Sequence, residues 1–251
     1  MRARTPWQGM WTIARLNWPF YLMALCVFAT SLSGAIWLAD PLLRVGCSMA
    51  FLGSAYFLFI SLGVSHLIYD SSDLYRWNWL IRLWPESPPS HAIFCHGGFD
   101  ETSESVRSLW PDSHWFVLNH FDESLMTEPS IQRARVLFPP TVDTLSAPFN
   151  RWPTANHSAD LILGLLAIHE LRKSADRDAW FSEAHRCLKK NGRVVLVEHL
   201  RDLPNFLAFG PGFFHFHSAS SWKRNWEAGG LRLLENFPVT PWVRVFVLGS
   251  S

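Results

Sequence analysis

Two stretches without a single Asp, Glu, Lys or Arg, residues 18–39 and 45–69, do most to limit what this chain can fold into. As a helix rising about 1.5 Å per residue, each is long enough to cross a hydrocarbon layer about 30 Å thick. A helix on a globular core needs a polar face, so two transmembrane spans explain the pattern better than two core helices. Only residues 40–44 separate them, and Pro41 suits the end of the first helix, so the spans form a hairpin with both ends on one side. Arg2, Arg4 and Arg15 precede the hairpin and Arg76 and Arg82 follow it, whereas the turn holds Arg44 alone. That bias places both ends in the cytoplasm. A cleaved signal peptide is the competing reading of the first span; its apolar region would be unusually long, and a second span follows directly.

The remaining composition narrows the class. Cys26 and Cys47 fall inside the spans and Cys95 and Cys187 on elements of the domain beyond, with no C-x-x-C pair, so no disulfide ladder is expected and a reducing compartment is implied. A formal net charge of +1 provides no basic face for nucleic acid. Residues 74–84 mix Leu, Ile and Trp with Arg76 and Arg82, which suits either a short helix lying in the headgroup layer or one packed on the domain that follows. Pro85, Pro88 and Pro89 read as a linker. The expected order is therefore a cytoplasmic segment 1–17, spans 18–39 and 45–69, an interfacial helix and linker 70–89, and a domain 90–251.

From residue 90 onward short apolar runs alternate with helical patterns, the signature of an α/β domain with a mostly parallel sheet. Strands are expected at 92–95, 114–118, 142–145, 159–164, 193–198, 231–237 and 243–248, and helices at 102–109, 128–137, 176–189 and 220–228. In the helix at 176–189 Ala179, Trp180, Glu183, Ala184 and Cys187 recur at three-and-four spacing, and Asn191-Gly192 is read as its stop. Val194 to Val197 is continuously apolar, as in a strand covered on both faces. In open parallel sheets ligands bind beyond the carboxyl ends of the strands, which makes the polar residues there the first candidates for chemistry.

Asp160 opens the fourth strand and His169 follows its end, Glu183 to Gly192 reads Glu-Ala-x-Arg-x-Leu-Lys-x-x-Gly, and Glu198 closes the fifth strand. This stretch resembles the corresponding region of the class I S-adenosylmethionine-dependent methyltransferases, and the last two strands, joined around Pro238 to Pro241, resemble the antiparallel hairpin that ends that fold. The resemblance implies a Rossmann-like domain with a seven-stranded, mostly parallel sheet, S-adenosylmethionine as cofactor, and a small-molecule acceptor. It also implies which residues hold the cofactor: Cys95, His96, Gly97, Gly98 and Asp100 after the first strand, Asn119 and His120 after the second, and Gly164 and Leu165 at the end of the fourth. In that register only Gly98 falls on a family glycine position. Phe94, His96 and Asp100 stand where an acid and two glycines are usual, and Asn119 stands for the carboxylate that binds ribose.

His96, His120, His169, Glu170, Glu198, His199, His215 and His217 should converge at one edge of the sheet. Methyl transfer needs an in-line nucleophile and at most a base, so His169 or His199 is the expected base, with Glu198 orienting it and Glu170, His215 and His217 completing the catalytic set. Such a cluster could also hold a divalent metal, and His215-x-His217, if extended, turns both imidazoles the same way. No diagnostic spacing supplies a third ligand, which ranks metal binding below direct acid–base use. Residues 203–217 form a long aromatic loop punctuated by Gly and Pro. Beside a membrane anchor it suggests a lipophilic acceptor such as a quinone, isoprenoid or lipid headgroup, although the rings could simply cover the sheet. Two alternatives stay open: the same fold with altered chemistry, metal-assisted or otherwise, and a non-catalytic membrane-bound binding module.

Overall fold

The structure is a computed structural model and describes residues 4–251. Arg2, counted above among the cationic residues before the first span, lies outside them. The chain opens with helices α1 (Gln8–Leu16), α2 (Trp18–Trp37) and α3 (Pro41–His66), the last continuing through a π-helical turn, Leu67–Ser71. Pro41 begins the second helix of the hairpin and does not end the first: it sits at the first helical position, and the Asp40 side chain accepts from the amides of Leu42 and Leu43. Both apolar helices are long enough to cross a membrane, and only 6% and 11% of their apolar windows are buried, so neither is a core helix. α1 docks on the end of α3, where the Asp70 carboxylate accepts from the amides of Gly9 and Met10.

Residues 74–84 do not form a headgroup-layer helix. Leu74, Trp77, Trp79, Leu80 and Leu83 are buried, around a single short turn α4 (Asn78–Ile81), in one cluster with Phe94, Leu163 and Val195 of the sheet. The indole of Trp77 donates to Ser105 Oγ at 2.9 Å and that of Trp79 to the carbonyl of Leu74 at 3.1 Å. A sheet apolar on both faces needs covering on both, and these rings cover one of them.

The sheet runs in the order β3-β2-β1-β4-β5-β7-β6, with β1 (His91–His96), β2 (His114–Asn119), β3 (Thr144–Ser146), β4 (Ala159–Leu165), β5 (Leu188–His199), β6 (Leu231–Thr240) and β7 (Val243–Ser250). Pairing is parallel throughout except that β7 lies antiparallel to both β5 and β6. Between them lie α5 (Ser103–Arg107), α6 (Pro129–Leu137), α7 (Ser174–Cys187), α8 (Leu203–Phe209) and α9 (Ala219–Ala228). The order reverses between β1 and β4, and this switch point is where an open α/β sheet forms its ligand crevice.

Two boundaries differ from expectation for physical reasons. α7 stops at Cys187, and Asn191-Gly192 lies inside the long β5 at a register shift between Ala159↔Leu188 and Leu161↔Arg193. A Cβ on Gly192 would stand 2.8 Å from both the Ala159 carbonyl oxygen and Leu188 Cδ1, so the glycine permits close strand approach instead of terminating a helix. Residues 203–217 are not an extended loop: they form α8 and then a 3-10 turn, Gly210–His215. Asp202 starts α8 by accepting from the Asn205 amide.

Candidate active site

The site grows from the carboxyl ends of β4 and β5. After β4 the chain turns through Leu166, at φ +48°, into a 3-10 turn, Ile168–Glu170. That turn is seated on Glu198, which is fully buried. Its Oε1 accepts from the amides of Ile168 (3.0 Å) and His169 (3.2 Å), and its Oε2 accepts from His169 Nδ1 at 2.6 Å. Nε2 of His169 lies 3.6 Å from Glu170 Oε1, which also faces His215 Nε2 at 3.4 Å. Burial opposes a charge on His169, but Glu198 and Glu170 outweigh it and hold the imidazole up at about 10. Burial likewise pushes Glu170 up, yet His169 and His215 hold it well below the usual carboxylate range.

Glu198 orients His169 but not His199. Successive residues of a strand face opposite sides, so His199 turns to the other face of the sheet. There its Nδ1 donates to the Trp242 carbonyl at 2.9 Å, its Nε2 accepts from the Tyr69 hydroxyl at 2.8 Å, and the ring stacks on Phe216. Burial and the nearby charge of His169 push it down to about 4. With both nitrogens engaged, His199 is a strut between the sheet and α3, not a base.

His215 and His217 do not act as a pair either, because the 3-10 turn ends at His215. His215 is half-buried and faces Glu170. His217 is buried, and its Nε2 accepts from Arg177 Nη1 at 3.1 Å. Burial and then the Arg177 charge push His217 down to about 3. Arg172 donates to the carbonyls of His215 and Phe214, and Arg201 to those of Phe214 and Phe216. These two exposed guanidiniums hold the turn that presents His215. Sequence reading missed both, since nothing in the spacing of a lone arginine shows that it will meet a backbone carbonyl many residues away.

The expected cofactor residues gather at the carboxyl ends of β1, β2 and β4, but face inward. Asp100 accepts from the amides of Thr102 and Ser103 at the start of α5. Asn119 Oδ1 accepts from the Phe121 amide at 3.0 Å. His96 Nδ1 accepts from the Gly98 amide, and His120 Nδ1 donates to the Ala147 carbonyl while the ring stacks on Trp152. Burial pushes His120 down to about 4. Cys95 is buried with its thiol pushed up by that burial, and Gly164 and Leu165 back onto Ile168 and the core. Gly98 adopts φ +96°, and a Cβ there would stand 2.9 Å from Phe121 Cδ2 and 3.2 Å from Arg135 Cδ. The guanidinium of Arg135 lies over the Phe121 ring, 3.8 Å from its centroid.

The comparisons with known proteins fall in place on this geometry. Residues 123–196 match the methyltransferase-domain family, from just past β2 to the middle of β5. Among solved structures, a Pyrococcus horikoshii OT3 protein aligns with TM-score 0.52 at 10% identity, over 70% of this chain and 88% of its own. The mitomycin 7-O-methyltransferase MmcR aligns with TM-score 0.51 at 16% identity, over 99% and 74%, and LaPhzM with TM-score 0.52 at 12% identity, over 100% and 75%. No curated protein matches.

Residues 123–196 thus carry the methyltransferase-domain match, and the whole sheet has the Rossmann-like methyltransferase fold. The residues that the resemblance assigns to S-adenosylmethionine are engaged within the fold itself. Phe121 and Arg135 fill the room beside Gly98, Asn119 is turned onto backbone, and Asp100 holds the amides that open α5. The Nε2 atoms of His96 and His120 are buried there without hydrogen-bond partners.

Proposed function

We propose that this chain is a membrane-anchored methyltransferase, its catalytic domain in the cytoplasm, acting on a small lipophilic acceptor. The observation that carries the proposal is the position of α8. Tyr56, on the second apolar helix, donates its hydroxyl to the Leu207 carbonyl at 2.8 Å, so α8 rests against the anchor. Leu203, Phe206, Leu207 and Phe214 stay exposed on α8 and its following turn, whose last residue is His215. An acceptor leaving the bilayer along α3 would meet this apolar rim before the polar cluster, and a tethered site works at the high effective concentration of the lipid pool.

In the cluster, His169 holds its proton between Glu198 and Glu170 and presents Nε2–H as a donor. Glu170 compensates that charge. His215, the half-exposed member, is the group placed to take a proton from a hydroxyl or thiol acceptor. S-adenosylmethionine, when bound, supplies the methyl group. Its access requires Phe121 and Arg135 to leave the space beside Gly98. Calorimetry of the full chain in detergent, titrated with S-adenosylmethionine and with S-adenosylhomocysteine, tests the reading. Saturable heat from either ligand supports it, and none at millimolar ligand from the folded protein contradicts it.

The filled cleft favours a second reading, in which the fold is kept and the cofactor abandoned. On that reading Glu170→Gln and His215→Ala leave the cellular role of the protein intact.

A further inference from the structure

Glu170 is only 9% exposed, and while its Oε1 faces two imidazoles, its Oε2 has no hydrogen-bond partner among the described residues. A buried carboxylate oxygen left unpaired is costly, and it belongs to a carboxylate on which donor side chains converge: one nitrogen each of His169 and His215 and one oxygen of Glu170 lie within 4.8 Å of one another. We propose that His169, Glu170 and His215 bind a divalent first-row transition-metal ion.

The surroundings are those of a metal site. Imidazoles that ligate metals are backed by a carboxylate on their other nitrogen. Glu198 does this for His169, with its own second oxygen pinned by two backbone amides. The carbonyls on either side of His215 are clamped by Arg172 and Arg201, which fixes the second imidazole without using its ring nitrogens. His215 Nδ1 points towards Glu128, 3.9 Å away, which leaves Nε2 for the ion. His217 is not a ligand, because Arg177 occupies its Nε2.

Both imidazole–carboxylate distances are close to those of a bound ion. Donor separations of 3.4 and 3.6 Å exceed by a few tenths of an ångström the roughly 3.0–3.4 Å expected between neighbouring ligands at bond lengths of about 2.0–2.1 Å. Two imidazoles and one carboxylate suit zinc, iron, manganese or cobalt better than calcium or magnesium. Three protein ligands leave positions free for water or substrate, the pattern of reactive sites and not of structural ones.

The ion would take the same three side chains to which the proposed function gives acid–base roles, displacing the Nε2 proton of His169, and its binding is read without any methyl donor, so the failure of one reading is distinguishable from the failure of the other. The full chain, purified in detergent with any tag removed and treated with chelator, is titrated with Co2+, read by its visible ligand-field absorption, and then competed with Zn2+. One equivalent per chain is expected. His215→Ala and Glu170→Gln should each weaken binding by at least about tenfold, and Glu198→Gln by about 10–100-fold, the range for a residue that orients a ligand. His215 is half-exposed, so His215→Ala keeps the metal-free unfolding temperature and decides the matter even where a buried variant fails to fold. No saturable absorption from folded wild-type protein, or absorption unchanged in both His215→Ala and Glu170→Gln, overturns the proposal.

Discussion

The hydroxyl of Tyr69, in the π-helical turn that ends the second apolar helix, donates to Nε2 of His199, the last residue of β5, at 2.8 Å. His199 is locked in one tautomer because its Nδ1 donates to the Trp242 carbonyl. One imidazole thus ties the second apolar helix, the edge of the site and the turn between β6 and β7. Tyr69→Phe leaves a buried ring nitrogen unpaired and is expected to cost about 1–3 kcal/mol. Thermal unfolding in detergent checks this, and an unchanged Tm would show that the contact carries no weight.

Phe121→Ala should uncover the space beside Gly98 and raise affinity for S-adenosylhomocysteine about tenfold, equivalent to about 1.4 kcal/mol. Gly98→Ala should do the reverse. A side chain at φ +96° is strained, and its Cβ would press on Phe121, so a loss of about 1–3 kcal/mol of stability is expected. Calorimetry of the first variant and unfolding of the second separate the two effects.

Trp77 is 2% exposed between the sheet and α5. Trp77→Ala is expected to destabilise the domain by about 3–5 kcal/mol, the range for removing a buried aromatic side chain. Had residues 74–84 lain in the headgroup layer, the same change would leave domain stability almost untouched and weaken membrane contact instead. Denaturant unfolding in detergent distinguishes these outcomes.

His120 and His199 are held neutral, each at about 4, against about 6.5 in an unfolded chain. Below about 6.5 the unfolded chain takes up protons that the fold refuses. Their contribution is therefore fully present above pH 6.5 and is lost as pH falls towards 4. Unfolding temperatures measured across this range should drop steeply on the acid side, and His120→Phe should make the slope shallower. A flat profile would mean that neither ring is buried as described.

Local pattern was enough to reveal β5, because Val194 to Val197 is apolar without a break, and the meeting of His169 with Glu198 followed from their places at the ends of adjacent parallel strands. Which neighbour Glu198 would orient was not legible. That depends on which face each residue of Glu198-His199 takes, and an all-apolar strand has no alternation from which to read it. The aromatic stretches misled for a related reason: Trp and Arg suit both a headgroup layer and a sheet face, and only the area left uncovered by helices decides for residues 74–84. In residues 203–217 the Gly and Pro punctuation hid a helix that Asp202 starts and that leans on α3. Phe121 and Arg135, which close the expected cofactor cleft, lie on the segment after β2, far in sequence from the glycine loop they fill.

The proposed function makes His169, Glu170, Glu198 and His215 the reactive edge of a methyltransferase held against a bilayer. The most direct test is to incubate membranes containing the full chain with S-adenosylmethionine carrying a labelled methyl group and then extract the lipids. Label entering the lipid-soluble fraction with wild-type protein, and falling at least about tenfold with Glu170→Gln or His215→Ala, is the predicted result. No label in that fraction from folded protein, or equal label from wild type and both variants, would contradict it.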